Sequence, residues 1–222
     1  MTDAITLTIP AEYIDAALCA VSKEETRYYL CGVFIDGRGF IASTNGHIAF
    51  AARCPAASAF AGVVPSYAPA GAAGGGIIVP HTAVAAVAKG KDDQYHITRD
   101  AQGLYWLARG AMRTHFTPID GTYPDWQRVV PEQPAKLTAA HYQPQYIKAL
   151  GDMAKALRGN KRDEASAFVI QQNGEGPAPV LFPIKRDKVT DPAGARADVL
   201  AVIMPMRNPD VTGWSRDSFF AA

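Results

Sequence analysis

An α+β fold built from about three repeats of one unit, a helix backed by several strands, is predicted by three observations. Apolar residues alternate in short runs such as Ile5-Thr6-Leu7-Thr8-Ile9, the period of a half-buried strand. Between such runs lie stretches with one apolar stripe at helical spacing, of which Tyr146, Leu150, Met153, Ala154 and Leu157 form the clearest. The order strand, helix, several strands then recurs three times along the 222 residues.

In the first unit, the strand Ile5–Ile9 runs into Pro10, which suits the first turn of a helix. Ile14, Ala17, Leu18 and Val21 share one face, so a helix is expected near residues 10–22. Tyr28–Ile35 and Gly39–Ala51 read as two strands joined by the turn Asp36-Gly37-Arg38-Gly39. The stretch Pro55–Gly76 is rich in Pro, Gly and Ala and reads as a surface loop. The second unit opens with Ile77-Ile78-Val79-Pro80 and a short helix near 80–89 holding Val84 and Val87. Strands follow at Gln94–Thr98, Leu104–Ala108 and Met112–Thr117. Asp120–Gln133, with Pro124 and Pro131, reads as a linker laid over the surface. The third unit begins with Ala135–His141. Its helix is expected near 144–158 and is stopped by Gly159-Asn160. Strands are expected at Phe168–Gln171, Val180–Ile184 and Val199–Met204, with a polar insertion at Arg186–Ala197.

Composition narrows the function. Hydrophobic residues make up 48% of the chain, enough for a substantial core. A net charge of +1 argues against coating nucleic acid through bulk charge, while leaving room for a local basic lining. No apolar run is long enough for a membrane span, and Met1-Thr2-Asp3-Ala4 does not open a signal peptide, so a cytoplasmic protein is expected. Cys19, Cys31 and Cys54 fit neither a disulfide framework nor a zinc site and are expected as buried thiols. His47, His81, His96, His115 and His141 show no ligand spacing, and no nucleophile, phosphate-loop or paired-carboxylate motif appears. No enzyme activity, metal or cofactor is expected.

Four blocks carry a resemblance. They are Arg27-Tyr28-Tyr29-Leu30-Cys31-Gly32-Val33, Thr44-Asn45-Gly46-His47, Tyr123-Pro124-Asp125-Trp126-Gln127-Arg128-Val129-Val130-Pro131, and Val202-Ile203-Met204-Pro205-Met206-Arg207. In this order they resemble the bacterial DNA sliding clamp, the beta subunit of DNA polymerase III. The resemblance implies the sliding-clamp fold, in which each domain holds two helix-plus-strands units. By it, residues 1–133 are similar to the family's middle domain, and residues 134–208 to the second half of its C-terminal domain. Tyr142-Gln143-Pro144-Gln145-Tyr146 supports that half over the other. Residues 209–222 form an aromatic tail with Trp214, Phe219 and Phe220, which either patches the core or mimics a clamp-binding peptide. The resemblance covers most of this chain and about half of a full clamp.

It also implies a groove for short peptides of DNA polymerase and other replication proteins. Carried over by position, Leu30, Thr44, Gly46 and His47 come from the first unit, and Pro124, Arg128 and Val129 from the linker. Gln143 and Tyr146 border the third helix, and Val202, Met204, Pro205, Met206 and Arg207 close the chain's last strand. The chemistry suits the task without the family: methionines adapt to varied apolar side chains, prolines make rigid walls, and arginines bond peptide carbonyls. The chain departs from the family at Asn45, usually Asp; at Ile48, usually basic; at Ala49, usually Leu; and at Asn208, where a leucine stands. A wider, less polar site is expected.

Double-stranded DNA is the second implied partner, held through phosphates without reading sequence. Lys148, Lys155, Arg158, Lys161 and Arg162 on and after the third helix are candidates, with Lys89 and Lys91 after the second. Arg27 and Tyr28 are similar to an edge that touches DNA in the family. Residues 1–133 carry 10 Lys/Arg against 12 Asp/Glu, net −2, and residues 134–222 carry 12 against 9, net +3, so basic character gathers late in the chain. Four chains of three units would match the twelve units of a full clamp, so a homo-oligomeric ring is one expectation. A non-ring adaptor or decoy that keeps only the groove is the other.

Overall fold

The computed structural model describes residues 5–61, 75–131, 140–158, 167–183 and 196–206. Eleven strands among them form two sheets, antiparallel in every pairing. The first unit comprises β1 (Ile5–Pro10), α1 (Ala11–Leu18), β2 (Gly32–Asp36), β3 (Phe40–Thr44) and β4 (Ile48–Arg53). The second comprises β5 (Gly76–Pro80), α2 (His81–Val87), β6 (Gln94–Arg99), β7 (Tyr105–Arg109) and β8 (Met112–Phe116). The third comprises α3 (Pro144–Arg158), β9 (Val169–Ile170), β10 (Ala178–Leu181) and β11 (Val199–Ile203).

One sheet has the order β1-β6-β7-β8, and the other β5-β2-β3-β4-β11-β10-β9. Alternation assigns their faces. Leu7, Ile9, Ile97 and Leu107 of the four-stranded sheet meet Val33, Ile35, Ile41 and Phe50 of the seven-stranded sheet in one core. The helices close it with Ile14, Val84, Leu150, Met153 and Leu157. Full burial of each such side chain contributes roughly 1.5–3 kcal/mol. α1 packs against both α3 and β3, so the third unit is joined to the first by helix as well as by sheet. Gly32 is required where β2 meets β5, because a Cβ there would lie 2.5 Å from the Val79 carbonyl oxygen.

Three repeats of a helix with several strands are present, and α3 spans the expected residues. Pro10 and Pro80 stand just before α1 and α2 as their N-terminal caps, whereas Pro144 is the first residue of α3. α1 and α2 are shorter than expected. Four other differences have physical reasons. Tyr28–Leu30, expected as the start of a strand, belong instead to a 3-10 turn over Glu25–Leu30, closed by Cys31 N–H donating to the Tyr28 carbonyl at 2.9 Å. The expected strand Gly39–Ala51 is two strands, because Gly46 at φ +90° and the Asn45 side chain build a hairpin turn. Pro55–Phe60 is a 3-10 turn whose Ala57 and Phe60 are buried in the core, so this part of the expected loop is structural. The linker buries Tyr123 and Trp126 in a second cluster with Leu30, Ala42, Ala51 and Ile78, because the outer sheet face beneath it is apolar. Cys54 is buried, but Cys19 and Cys31 are only half-buried, in contrast to the three buried thiols expected. The tail 209–222, most of Ala135–His141 and most of the Arg186–Ala197 insertion lie outside the described residues.

Candidate functional site

The junction of β4 with β11 is where the third unit meets the first. Ile48, Phe50, Ala201 and Ile203 point into the core, so Ala49, Ala51 and Val202 face outward. The register sets Thr44, Ala49, Val202 and Pro179 in one row across four strands of that outer face. Val202 and Ala49 are nevertheless largely covered, as is Leu30 in the neighbouring cluster. These residues form a floor, and exposed side chains stand around it.

The hairpin turn at one end is held by its own polar groups. The Thr44 hydroxyl donates to the Ile48 carbonyl at 2.8 Å and accepts from Gly46 N–H at 3.0 Å. Asn45 Oδ1 accepts from the N–H groups of His47 at 2.9 Å and Ile48 at 3.0 Å. This turn presents His47 outward, and its ring stacks on Tyr146 at 5.0 Å between centroids. Beyond β11, Met204 N–H donates to the His47 carbonyl at 2.8 Å, and Met206 N–H to the His141 carbonyl at 2.8 Å. Gln143 accepts the Tyr146 N–H at the start of α3, and its side-chain oxygen accepts from the Gln145 amide at 2.8 Å. Thus His47, Gln143, Tyr146, Met204, Pro205 and Met206, from three distant segments, gather at one end of the seam. Met206 is 40% exposed, so its thioether is open to a partner.

The linker forms a strap on the same outer face. Ile119 N–H donates to the Ile78 carbonyl at 3.0 Å, and Tyr123 stacks on Phe34 at 4.7 Å. Burial pushes the Tyr123 phenol above its ordinary pKa, offset only in part by the nearby Thr44 backbone. Trp126 meets Phe40 edge to face at 5.4 Å. Pro124 and Arg128 are exposed on this strap, and Val129 is half-buried. Arg207 lies outside the described residues. The assembled surface offers thioether, proline and aromatic contacts with a few fixed donors and acceptors, which suits an extended peptide bearing bulky apolar side chains.

The basic candidates are dispersed. Lys148 and Lys155 on α3 share one carboxylate, with Nζ to Asp152 distances of 2.7 and 3.0 Å. The hydrogen bond to Asp152 raises the Lys148 pKa, and the two lysines hold the Asp152 carboxyl below its usual range. Lys89 and Lys91 are exposed after α2, and Arg158 is half-buried at the end of α3. Lys161 and Arg162 lie outside the described residues. Arg27 stands against the β3–β4 turn, where its Nη1 would be 2.9 Å from a Cβ on Gly46. Tyr28 is 54% exposed and packs beside Tyr29 over Gly121.

Three groups escaped the sequence reading. Pro179 joins the floor only through register. Asp36 and Arg38, read as plain turn residues, tie down the strap. Arg196, inside what reads as a polar insertion, pairs with Glu12 of α1 and with Asp198. Only the Asp-x-Arg spacing of 36 and 38 carries a sequence signal. Among the described residues no group of three His, Cys, Asp or Glu side chains could hold a metal ion, and no helix is long and apolar enough to cross a membrane.

No family model matches the chain. The Beta sliding clamp of Caulobacter vibrioides is 32% identical over 134 residues, a match covering 56% of this chain. That match spans 33% of the relative's own length. Among solved structures, the beta sliding clamp of Caulobacter crescentus superposes with a TM-score of 0.55 at 19% identity, covering 94% of this chain and 68% of that one. The DNA polymerase III beta subunit of Thermotoga maritima gives 0.57 at 11% identity, covering 94% and 67%. A DnaN sliding clamp from Bartonella birtlesii, bound to griselimycin, gives 0.53 at 17% identity, covering 91% and 66%. The chain has the sliding-clamp fold and resembles the bacterial beta sliding clamp in sequence.

Proposed function

From this sliding-clamp fold, we propose that the chain is a non-catalytic replication accessory of the bacterial cytoplasm that receives short peptides of DNA polymerase and other replication proteins. The peptide groove is the outer seam between β4 and β11, walled by the strap and by the start of α3. The observation that carries this reading is the convergence of His47, Tyr146 and Met204, which the chain brings together from three remote segments. In domain terms, residues 1–133 supply one clamp-type domain, residues 134–208 part of another, and 209–222 a tail.

Titration calorimetry with a peptide ending in Leu-Phe tests the reading. Binding is expected in the micromolar range, about −8 kcal/mol. Met204→Ala should weaken it without changing the melting transition, because Met204 lies beyond the end of β11 and outside the core. Unchanged affinity in that variant would remove the groove.

Encirclement of double-stranded DNA by a homo-oligomer is the fuller reading, supported by Lys148 and Lys155 on α3. Their shared partner Asp152 reduces the free positive charge of that face and favours the narrower role, a non-ring adaptor or decoy such as a phage or mobile element would use. Mass measurement in solution separates the two. A discrete tetramer supports the ring, and a monomer supports the adaptor.

A further inference from the structure

The geometry points to Asp36 as a positioning residue of the peptide groove, acting through the strap; this rests on the peptide-binding reading above. Asp36 ends β2, and its side chain is 1% exposed. A buried carboxylate is costly unless its lone pairs are filled. Here Oδ1 accepts from the Arg38 N–H at 2.9 Å and from Arg38 Nε at 3.0 Å. Oδ2 accepts from Arg38 Nη2 at 2.7 Å and from the Trp126 indole N–H at 3.0 Å. Arg38 continues outward, with Nη1 donating to Gln127 Oε1 at 3.2 Å and pairing with Asp125 at 3.8 Å.

Three consecutive strap residues, Asp125, Trp126 and Gln127, are therefore tethered to one carboxylate some 90 positions earlier in the chain. Among its described residues the strap contributes nothing to the main core; Tyr123 and Trp126 belong to the smaller outer cluster. Its placement depends on the Ile119–Ile78 backbone hydrogen bond, on the ring contacts with Phe34 and Phe40 and on this polar latch. The latch sits at the β2–β3 turn, at the opposite end of β3 from Thr44, so Asp36 does not reach a peptide itself. It sets where Pro124, Arg128 and Val129 stand as one wall of the groove. Loosening the latch frees that wall while the core stays folded.

A like tie elsewhere supplies the control. Asp100 Oδ2 accepts the Trp106 indole N–H at 3.1 Å in the four-stranded sheet, away from the seam. The experiment measures binding and release of a fluorescent peptide ending in Leu-Phe by the full chain and by Asp36→Asn, Trp126→Phe and Asp100→Asn. Hydrogen exchange at the Arg128 and Val130 amides is followed alongside. Asp36→Asn and Trp126→Phe are expected to raise Kd roughly 5- to 20-fold, chiefly through faster release, and to speed exchange at both amides. Asp100→Asn should leave Kd within about twofold. If Asp36→Asn does not fold, Trp126→Phe, which leaves the Asp36–Arg38 pair intact, decides alone. Latch variants that bind like the parent, or an Asp100→Asn loss as large as theirs, would overturn the role of Asp36 while leaving the groove standing. A parent that binds no peptide would instead bring down the groove, and the role of Asp36 with it.

Discussion

Arg196→Met should loosen the joint between the third unit and the first. The Arg196 guanidinium donates to Glu12 Oε1 on α1 at 2.7 Å, to the Leu157 carbonyl of α3 at 3.2 Å, and to both oxygens of Asp198 just before β11. The Tyr13 hydroxyl completes the group by donating to Asp198 at 2.7 Å. Methionine keeps the apolar stem but leaves two carboxylates without their cation. Breaking a fully buried pair costs about 3–5 kcal/mol. Glu12 and Asp198 are 31% and 36% exposed, so water replaces part of the loss. A destabilisation of about 2 kcal/mol remains after that discount, which in a chain of this size lowers Tm by about 4–8 °C.

The pH dependence adds a second check. Burial alone would raise the Asp198 carboxyl, but the hydrogen bonds from Arg196 and Tyr13 outweigh it and hold the pKa below the ordinary value. A depressed carboxyl pKa contributes stability above the ordinary carboxylate range, and that stability is lost as pH falls through the folded-state value. The gap between parent and variant should therefore be full at neutral pH and shrink in strong acid. Thermal melts by circular dichroism at both conditions measure it. A neutral-pH drop below about 1 °C, or a gap that persists unchanged in acid, would refute the reasoning.

Three further outcomes are expected. Gly32→Ala places a Cβ 2.5 Å from the Val79 oxygen and 2.7 Å from Ile78 Cγ2, so β5 must shift, at a cost of about 1–3 kcal/mol; an unchanged urea midpoint would contradict this. Ser43→Ala removes the buried hydroxyl that donates to the Ala17 carbonyl at 2.7 Å, and should lower stability by about 1 kcal/mol in the same assay. On the ring reading, Asp152→Asn releases Lys148 and Lys155 and should strengthen duplex DNA binding with a steeper salt dependence, whereas Lys148→Glu with Lys155→Glu should abolish it. DNA affinity that ignores both changes and is insensitive to salt counts against a DNA-facing α3.

Local patterning alone determines much of this molecule. The apolar stripe from Tyr146 to Leu157 is enough to place α3, and alternation places β1, β6, β7 and β8, because side-chain period reports which face is buried. The pairing of Lys148 and Lys155 with Asp152 needs only neighbours on one helix, since residues three and four apart meet there. The four motif blocks carry the resemblance from which the proposed peptide groove is read. Tertiary structure decides which strands pair. Nothing local says that β4 adds β11, so the row Thr44–Ala49–Val202–Pro179 and the meeting of His47 with Tyr146 arise only when distant segments close on one another. The strap shows the same limit: its prolines read as an exposed linker, yet Trp126 is buried because Phe40 and the Asp36 carboxylate wait beneath it. Arg196 likewise reads as one more surface charge until α1 supplies Glu12. Period and composition are properties of neighbours in the chain, whereas ion pairs and ring contacts across the fold depend on the register that the whole core selects.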